Sequence, residues 1–469
     1  MKKIIVCFLV FMLLTVGVNS FFVEGITIEE IKQNNLKINI KEYDYINPSF
    51  YKTWEHKDFG AAFGYKSIVY NGNIYQIVRL GQKEGYVVLN DTVCIVKYDA
   101  NTGKVLNFDI LTEEITAGPE ALIQHKNQIY VLGTHTDRKE ENNNFVLKYD
   151  LDLKLENIYY IFNSNDYRYS PLDMVSDNEN IYITGTVKKN EEDADRDIFV
   201  AKFDSNLGLV WNTSWDYERK NQDLTWTGSI ITTYGNYVYV TGCLSSNDDG
   251  FLLKISKKDG ISDFVITENV YEGCAVDAAN EQIYVAYPYS INGGSNIKLC
   301  AYDINLNLTW CEILDIAKDD IVEDILVSGD SIYITGTVVE IDPSEPLNPM
   351  LSNAYILKYN LLDNCEDWTK LVKEKTSYGF SINADDNNLY LSGAIVKIIG
   401  LRLYSFVLKC TKEGKIKSKI LNHKKIDKNK FFLSFFNKML VDFPDLNLLF
   451  KNIIDFLKIT SKELVGCRS

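Results

Sequence analysis

One short phrase returns seven times along the 469 residues of the chain. Its clearest copies are residues 180–186 (NIYITGT) and 331–337 (SIYITGT), and a second phrase, such as residues 199–204 (FVAKFD), follows each copy. Self-similarity at a fixed period indicates a repeat architecture, because each period encodes one supersecondary unit. The central tyrosines of the copies, separated by 45 to 57 residues, are Tyr75, Tyr130, Tyr182, Tyr239, Tyr284, Tyr333 and Tyr390.

Each repeat contains four short strand segments with turns rich in Asn, Asp and Gly between them, as at residues 99–103. A four-stranded sheet that is apolar on both faces must pack between like neighbours, and closing the units into a ring covers every face. We therefore predict an all-β fold: a seven-bladed β-propeller of four-stranded antiparallel blades over residues 63–422, with a short C-terminal amphipathic helical tail. An open β-solenoid would favour more uniform coils, and two β-sandwiches would not repeat one phrase seven times.

The two phrases together resemble a known group. The pattern apolar-Tyr-apolar-Thr-Gly-Thr, then Phe-Val-x-Lys-Phe-Asp, is similar to the seven-bladed β-propeller repeat family of exported bacterial and archaeal proteins. That resemblance implies an extracellular or surface protein without an assigned enzyme activity. Two units depart from the pattern, since residues 286–288 (AYP) replace the Thr-Gly turn and Gly81 lies far from Tyr75.

The strand that completes the last blade has two candidates. Residues 51–54 (YKTW), within the N-terminal segment 21–62, resemble the last strand of a blade although they precede the first unit. Residues 415–420 (KIKSKI) carry alternating lysines, which suit an exposed edge strand. Both remain open at this stage.

The first twenty residues have the pattern of a cleaved signal peptide. Lys2 and Lys3 precede an apolar run over residues 4–18, and small residues follow at 18–20. The run is shorter than the ~20 residues that a membrane-spanning helix requires. We therefore expect residues 1–20 to be a signal peptide and the protein to be exported, either extracellular or associated with the cell surface.

The C-terminal tail, residues 423–469, is amphipathic. Two apolar stripes at helical spacing, from Phe432 to Phe443 and from Leu446 to Leu457, are separated by Pro444. The stripes predict helices that dock on the propeller or on a second copy of the chain. The alternative is a peripheral membrane contact through residues 430–459, next to the lysine-rich segment 412–430.

Eight cysteines remain after cleavage of the signal, and none forms a Cys-x-x-Cys pair. Cys300 and Cys311 flank a predicted turn and are the candidate disulfide pair, since export permits oxidation. Three sequons make Asn90, Asn212 and Asn307 candidate glycosylation sites.

No catalytic, cofactor-binding or metal-binding pattern is present. The four histidines, His56, His125, His135 and His423, lack metal-ligand spacing. The acidic loops 191–195 and 247–249 fit solvated turns better than calcium sites. Residues 98–106 are similar to the blade motif of pyrroloquinoline-quinone dehydrogenases, yet residues 107–108 (NF) stand where that family has Trp, and its adjacent cysteine pair is missing.

These observations lead to one functional prediction and two alternatives. With a formal charge of −15, the protein is not expected to bind nucleic acid. We expect a non-catalytic binding scaffold for a protein or glycan partner, without a cofactor. The alternatives are a propeller enzyme, quinoprotein dehydrogenase-like or glycan-acting, and a structural envelope component. Carboxylates that converge in the central channel would favour an enzyme, whereas hydroxyl and apolar groups would argue against one.

Overall fold

The computed structural model describes residues 45–414, apart from 47, 85–86, 112–116, 136–143, 163, 165, 190–195, 217–229, 245–248, 268–269, 271–273, 292–293, 342–349, 375 and 398–401. These residues belong to one compact unit. The predicted signal peptide (1–20), the second candidate closing strand (415–420) and the tail (423–469) lie outside them. Among the residues that are described, no helix is long and apolar enough to cross a membrane.

The described residues form 28 strands in seven four-stranded antiparallel blades, as predicted. Blade 1 contains β2 (Ala61–Tyr70), β3 (Asn73–Glu84), β4 (Val87–Asp99) and β5 (Val105–Ile110). Blade 2 contains β6 (Ala117–His125), β7 (Gln128–His135), β8 (Asn144–Tyr149) and β9 (Leu155–Ile161). Blade 3 contains β10 (Tyr167–Ser176), β11 (Asn180–Lys189), β12 (Asp197–Asp204) and β13 (Leu209–Trp215). Blade 4 contains β14 (Ile230–Tyr234), β15 (Tyr237–Leu244), β16 (Asp249–Ser256) and β17 (Ser262–Thr267).

The remaining three blades repeat this order. Blade 5 contains β18 (Ala275–Ala279), β19 (Gln282–Ile291), β20 (Gly294–Asp303) and β21 (Leu308–Leu314). Blade 6 contains β22 (Asp319–Ser328), β23 (Ser331–Ile341), β24 (Met350–Asn360) and β25 (Cys365–Leu371). Blade 7 contains β26 (Ser377–Ala384), β27 (Asn388–Lys397), β28 (Arg402–Thr411) and, from the other end of the chain, β1 (Phe50–Trp54).

The N-terminal strand β1 completes the last blade. It pairs antiparallel with β28, so that Lys52 lies opposite Val407. Of the two candidate closing strands, the structure therefore uses the one that contains residues 51–54. Because the two ends of the described chain meet in one sheet, the seven blades form a closed ring.

The core is divided among the boundaries between blades. Seven separate clusters of buried side chains are present, one between each blade and the next. The cluster between blades 7 and 1 contains Phe50 and Trp54 of β1 together with Ile74 and Val407. An open array would leave the outer faces of its first and last blades uncovered. Burial of the cluster between blades 7 and 1 therefore stabilises the closed ring relative to an open array.

The repeated tyrosine and lysine connect neighbouring blades. All seven repeat tyrosines are buried. The hydroxyl of Tyr75 donates to the carbonyl of Leu151, in a turn of blade 2, at 2.9 Å, and Nζ of Lys97 donates to the same oxygen at 2.8 Å. Equivalent bonds from blade to blade run from Lys202 to the carbonyl of Lys257 at 2.9 Å and from Lys409 to the carbonyl of Ala100 at 2.9 Å. The repeat is therefore explained by assembly of the ring.

The repeated glycine makes room for a β-bulge in the innermost strand. A Cβ atom on Gly336 would lie 1.9 Å from the carbonyl oxygen of Ile321, and one on Gly393 would lie 1.9 Å from that of Tyr378. At these positions the innermost strands shift register, which adds one residue to the strand. In blade 5, where Ala286 replaces the glycine, β18 pairs with β19 without such a shift.

The two rims of the ring differ in their connections. Turns between the first and second strands, and between the third and fourth, have two to five residues. The other connections, which antiparallel pairing places at the opposite rim, vary from two to fourteen residues. We call the second rim the loop rim. In the five innermost strands that contain a bulge, the bulge lies at or near the middle of the strand.

Candidate functional site

The central channel is identified by contacts between blades that are not neighbours. Nζ of Lys66 in blade 1 lies 3.9 Å from Oδ1 of Asp324 in blade 6. Lys66 also lies within electrostatic range of Asp173 in blade 3 and of Glu323 in blade 6. Blade 1 adjoins only blades 7 and 2, so these side chains can meet only at the centre of the ring. We call Lys66, Asp173, Glu323 and Asp324 the channel cluster.

Several aspartates around the channel connect neighbouring blades through hydrogen bonds. Oδ2 of Asp173 accepts a hydrogen bond from the backbone N–H of Ile231 at 3.1 Å, and Oδ2 of Asp324 accepts one from Ile382 at 2.9 Å. Asp277 accepts in the same way from Val327 at 2.7 Å. Each bond joins one innermost strand to that of the next blade. Burial raises the pKa of Asp173, and it raises the pKa of Asp277 to about 6.

Glu120 and Glu323 occupy bulge positions. Among the described residues, neither has the hydrogen bond to the next blade that these aspartates make. Burial raises the pKa of Glu323 to about 7, although the charge of Lys66 acts in the opposite direction. Burial likewise raises the pKa of Glu120 to about 7, against a hydrogen bond of 2.9 Å from Oγ1 of Thr134 to its Oε1. Burial alone would lower the pKa of Lys66, but the carboxylates of the channel cluster raise it. Lys66 therefore stays charged, whereas Glu120 and Glu323 each change between the protonated and the ionised form near neutral pH.

Three aromatic rings form a stack beside these groups. The rings of Tyr65 in blade 1 and Phe380 in blade 7 are 5.7 Å apart with an angle of 17° between their planes. The ring of Tyr378 continues the stack, 6.4 Å from Phe380 with an angle of 14°. All three side chains are half-buried, so part of each remains accessible. We call Tyr65, Phe380 and Tyr378 the aromatic stack.

Arg79 lies next to Tyr65 of the aromatic stack and is paired with Asp91. Nε of Arg79 donates to Oδ2 of Asp91 at 2.8 Å, and the guanidinium lies within electrostatic range of the hydroxyl of Tyr65. Its charge lies within electrostatic range of Glu120. Arg79 pairs with Phe63, which is one step nearer to the loop rim than Gly64. Tyr65, Arg79 and Glu120 thus lie together in the channel, and Lys66, the residue after Tyr65, lies within electrostatic range of Glu323.

The bulge residues share a sequence position that the repeat analysis missed. Each lies ten residues before the repeat tyrosine of its own blade, at Tyr65, Glu120, Leu172, Glu323 and Phe380. The side chains vary because this position does not pack in the blade. Alignment of the repeats on their tyrosines would have revealed it as a variable column within an otherwise apolar strand.

The residues singled out from sequence lie away from this site. Cys300 and Cys311 face each other on β20 and β21 and form a disulfide. Asn212 is exposed on β13, Asn307 is exposed in the turn after β20, and Asn90 lies on β4.

Neither His56 and His125 nor the turn at residues 99–103 is among the channel groups described above. His125 and His135 end β6 and β7, His56 follows β1, and His423 lies outside the described residues. Within the described part of the chain, no group of three or more His, Cys, Asp or Glu residues could hold a metal ion. The turn at residues 99–103 joins β4 to β5 at the rim of short turns. The acidic loop 191–195 and residues 247–248 are outside the described residues.

Comparison with known proteins gives similarity of structure only. No protein family and no curated protein matches the sequence. The polysaccharide lyase Uly1 is 11% identical, with a TM-score of 0.46 over 82% of this chain and 95% of that one. The β-propeller domain of the Trilobed protease from Pyrococcus furiosus is 12% identical, with a TM-score of 0.44 over 77% of this chain and 99% of that one. The fold assigned to this chain, a β-propeller, rests on its own strand topology.

Proposed function

We propose that this protein is an exported, non-catalytic β-propeller that binds a neutral glycan in its central channel. The observation that carries the proposal is the aromatic stack in the same channel as Glu120 and Glu323. The site lies on the innermost strands, so its side chains are positioned by the backbone of the sheets rather than by loops.

The aromatic stack supplies the apolar part of such a site. The face of an aromatic ring carries negative electrostatic potential, and the C–H groups on one face of a sugar ring complement it. Rings that are nearly parallel across two blades offer an extended platform rather than one contact. Because Tyr65 and Tyr378 both pack against the ring of Phe380, the platform is ordered before the ligand arrives.

The glutamates supply the polar part. Sugar hydroxyls both donate and accept hydrogen bonds, so a site for them needs groups that do the same. A carboxyl group accepts when ionised and also donates when protonated. With pKa values of about 7, Glu120 and Glu323 populate both forms at neutral pH.

The charges favour a neutral ligand. The cluster contains three carboxyl groups and one lysine, and Arg79 is already paired with Asp91. An acidic glycan or a phosphate would meet net negative charge both here and over the whole chain, whose formal charge is −15.

The test is a screen of neutral oligosaccharides followed by calorimetric titration of the best ligand. We expect Phe380→Ala to weaken binding ~2- to 10-fold, because one stacked ring is worth about 0.5–1.5 kcal/mol. The matched control is Phe108→Ala, an aromatic residue on β5 that is 43% exposed, and it should bind like the unmodified protein. Equal affinity in both variants, or a complete absence of neutral-glycan binding, would refute the proposal.

Export is part of the proposal and is supported by two observations. Residues 1–20 have the pattern of a signal peptide, and the disulfide between Cys300 and Cys311 suits an oxidising compartment. We expect the mature protein to begin after Ser20 and to be recovered outside the cytoplasm. N-terminal sequencing of protein isolated from its native cells tests this, and an intact N-terminus in the cytosolic fraction would contradict it.

The same glutamates favour one second candidate, cleavage of the bound glycan. Glycan-cleaving enzymes use pairs of carboxyl groups, one of which has a raised pKa. Release of new reducing ends from the ligand found in the screen, lost in Glu120→Gln and Glu323→Gln, would replace the non-catalytic proposal with this one.

A further inference from the structure

Two thiols face each other at the boundary between blades 4 and 5. Cys243 lies near the end of β15, and Cys274 comes directly before β18. Their sulfur atoms are 3.9 Å apart, and the two residues are 5% and 4% exposed. Both belong to the buried cluster that joins the two blades, next to Tyr287. In a cystine the two sulfur atoms are about 2 Å apart, so an approach of about 2 Å would allow a bond.

The backbone at these positions is suited to that approach. Cys274 stands just outside the ladder of β18, whose pairing with β19 begins at Ala275. Cys243 lies opposite Gly250, which has no side chain on the partner strand. Cys274 also lies ten residues before the repeat tyrosine Tyr284, the position that bulges elsewhere in the ring. Cys274 is therefore outside the β18–β19 ladder, although Val270, four residues earlier, forms a bridge with Tyr289 of β19.

At this boundary the described parts of the innermost strands are the shortest. β14 and β18 have five described residues each, against eight to ten in the other innermost strands, and residues 217–229 and 271–273, which precede them, lie outside the described residues. Blade 5 is the unit in which Ala286, Tyr287 and Pro288 replace the Thr-Gly phrase. A disulfide here would add a covalent bond between blade 4 and blade 5, and blade 5 is a unit that departs from the repeat pattern.

We propose that Cys243 and Cys274 form a disulfide that joins blade 4 to blade 5 in the exported protein. The proposal rests on the export that forms part of the proposed function. One thiolate attacks a small-molecule or protein disulfide and releases a thiol, and the second thiolate then displaces the remaining half of that oxidant. Two thiols become one disulfide with loss of two protons, while the oxidant's disulfide is reduced to two thiols. Because both sulfur atoms are buried, the bond forms during folding, before the boundary closes.

The test is refolding of the mature chain in a buffer of oxidised and reduced glutathione, followed by alkylation and peptide mapping without reduction. We expect one linked peptide pair from Cys300 and Cys311 and a second from Cys243 and Cys274. Cys365 is exposed and should be alkylated.

The urea midpoint provides the second readout. Reduction should lower the urea midpoint of the unmodified protein more than that of Cys243→Ala or Cys274→Ala, because each variant has only the disulfide between Cys300 and Cys311 to lose. Alkylated thiols at 243 and 274 in protein whose other disulfide has formed would overturn the proposal. So would a second disulfide that leaves the midpoint unchanged. Neither result would affect the glycan titration, so failure of this proposal is distinguishable from failure of the proposed function.

Discussion

Lys409 is expected to stabilise the closure of the ring far more than its counterpart one blade earlier. It lies on β28, 8% exposed, and its Nζ donates to the carbonyl of Ala100 in blade 1 at 2.9 Å. The same ammonium group lies 5.3 Å from the centre of the Tyr390 ring. A hydrogen bond to a charged group contributes about 1.5–3 kcal/mol, and a cation–π contact adds about 0.5–2 kcal/mol. Lys409→Met keeps most of the apolar stem, so we expect a loss of ~2–4 kcal/mol.

The matched control is Lys358→Met, at the same position of the repeat in blade 6. Lys358 pairs at 2.7 Å with Asp367 of its own blade, which is 41% exposed, so its removal should cost less than ~1 kcal/mol. Urea unfolding followed by circular dichroism gives both values under identical conditions. If the two variants lose the same stability, the bond from Lys409 to Ala100 does not hold blades 7 and 1 together, and the explanation of the repeat is wrong.

Three further predictions follow from the channel and the bulges. The pKa of Glu323 rises from 4.5 to about 7 on folding, so the free energy of unfolding falls as pH rises through that interval. Glu323→Gln should therefore be more stable than the unmodified protein at pH 8 by ~1–3 kcal/mol and equal to it at pH 4, as measured by urea titrations. Lys66→Met should lose ~2–4 kcal/mol at pH 8 and less at pH 5, where the neighbouring carboxyl groups take up protons; a loss independent of pH would contradict this. Gly336→Ala should lose ~3 kcal/mol or fail to fold, since its Cβ meets the carbonyl of Ile321, whereas Gly118→Ala, with 3.7 Å of clearance, should change stability by less than ~0.5 kcal/mol.

The fold was predictable because the residues that recur are those that join the blades. Tyr75 and Lys97 meet the same turn carbonyl of the next blade, and Lys202 and Lys409 make the corresponding bond from blades 3 and 7. Gly336 is required by the close approach of the innermost strand. Such constraints act at a fixed period, so sequence comparison within one chain exposes them.

The closing strand could not be chosen from sequence for a physical reason. Residues 51–54 and 415–420 both have the pattern of an outer strand, and neither pattern encodes its partner. The choice depends on contacts across more than 300 residues, such as Phe50 and Trp54 in one cluster with Val407.

The candidate site was not predicted because its residues do not recur. Glu120, Glu323 and Phe380 occupy one repeat position with different chemistry, and nothing local marks them as channel residues. Their proximity arises only when the ring closes. The carboxyl groups that converge in the channel are the feature that would have favoured an enzyme. Asp173, Asp277 and Asp324, however, are used by backbone amides of the next blade, which leaves the two glutamates for recognition.

Closure of the ring by the N-terminal strand is the claim on which the channel and its site depend. A cysteine cross-link between Lys52→Cys and Val407→Cys, formed during oxidative refolding because Val407 is buried in the folded protein, tests it most directly, since these residues are paired across β1 and β28. Peptide mapping should show a nearly complete link for this pair and a much lower yield for Lys52→Cys with Ser405→Cys, which is two residues out of register. Failure of the first pair to link, or equal linking of both pairs, would show that β1 does not close the last blade.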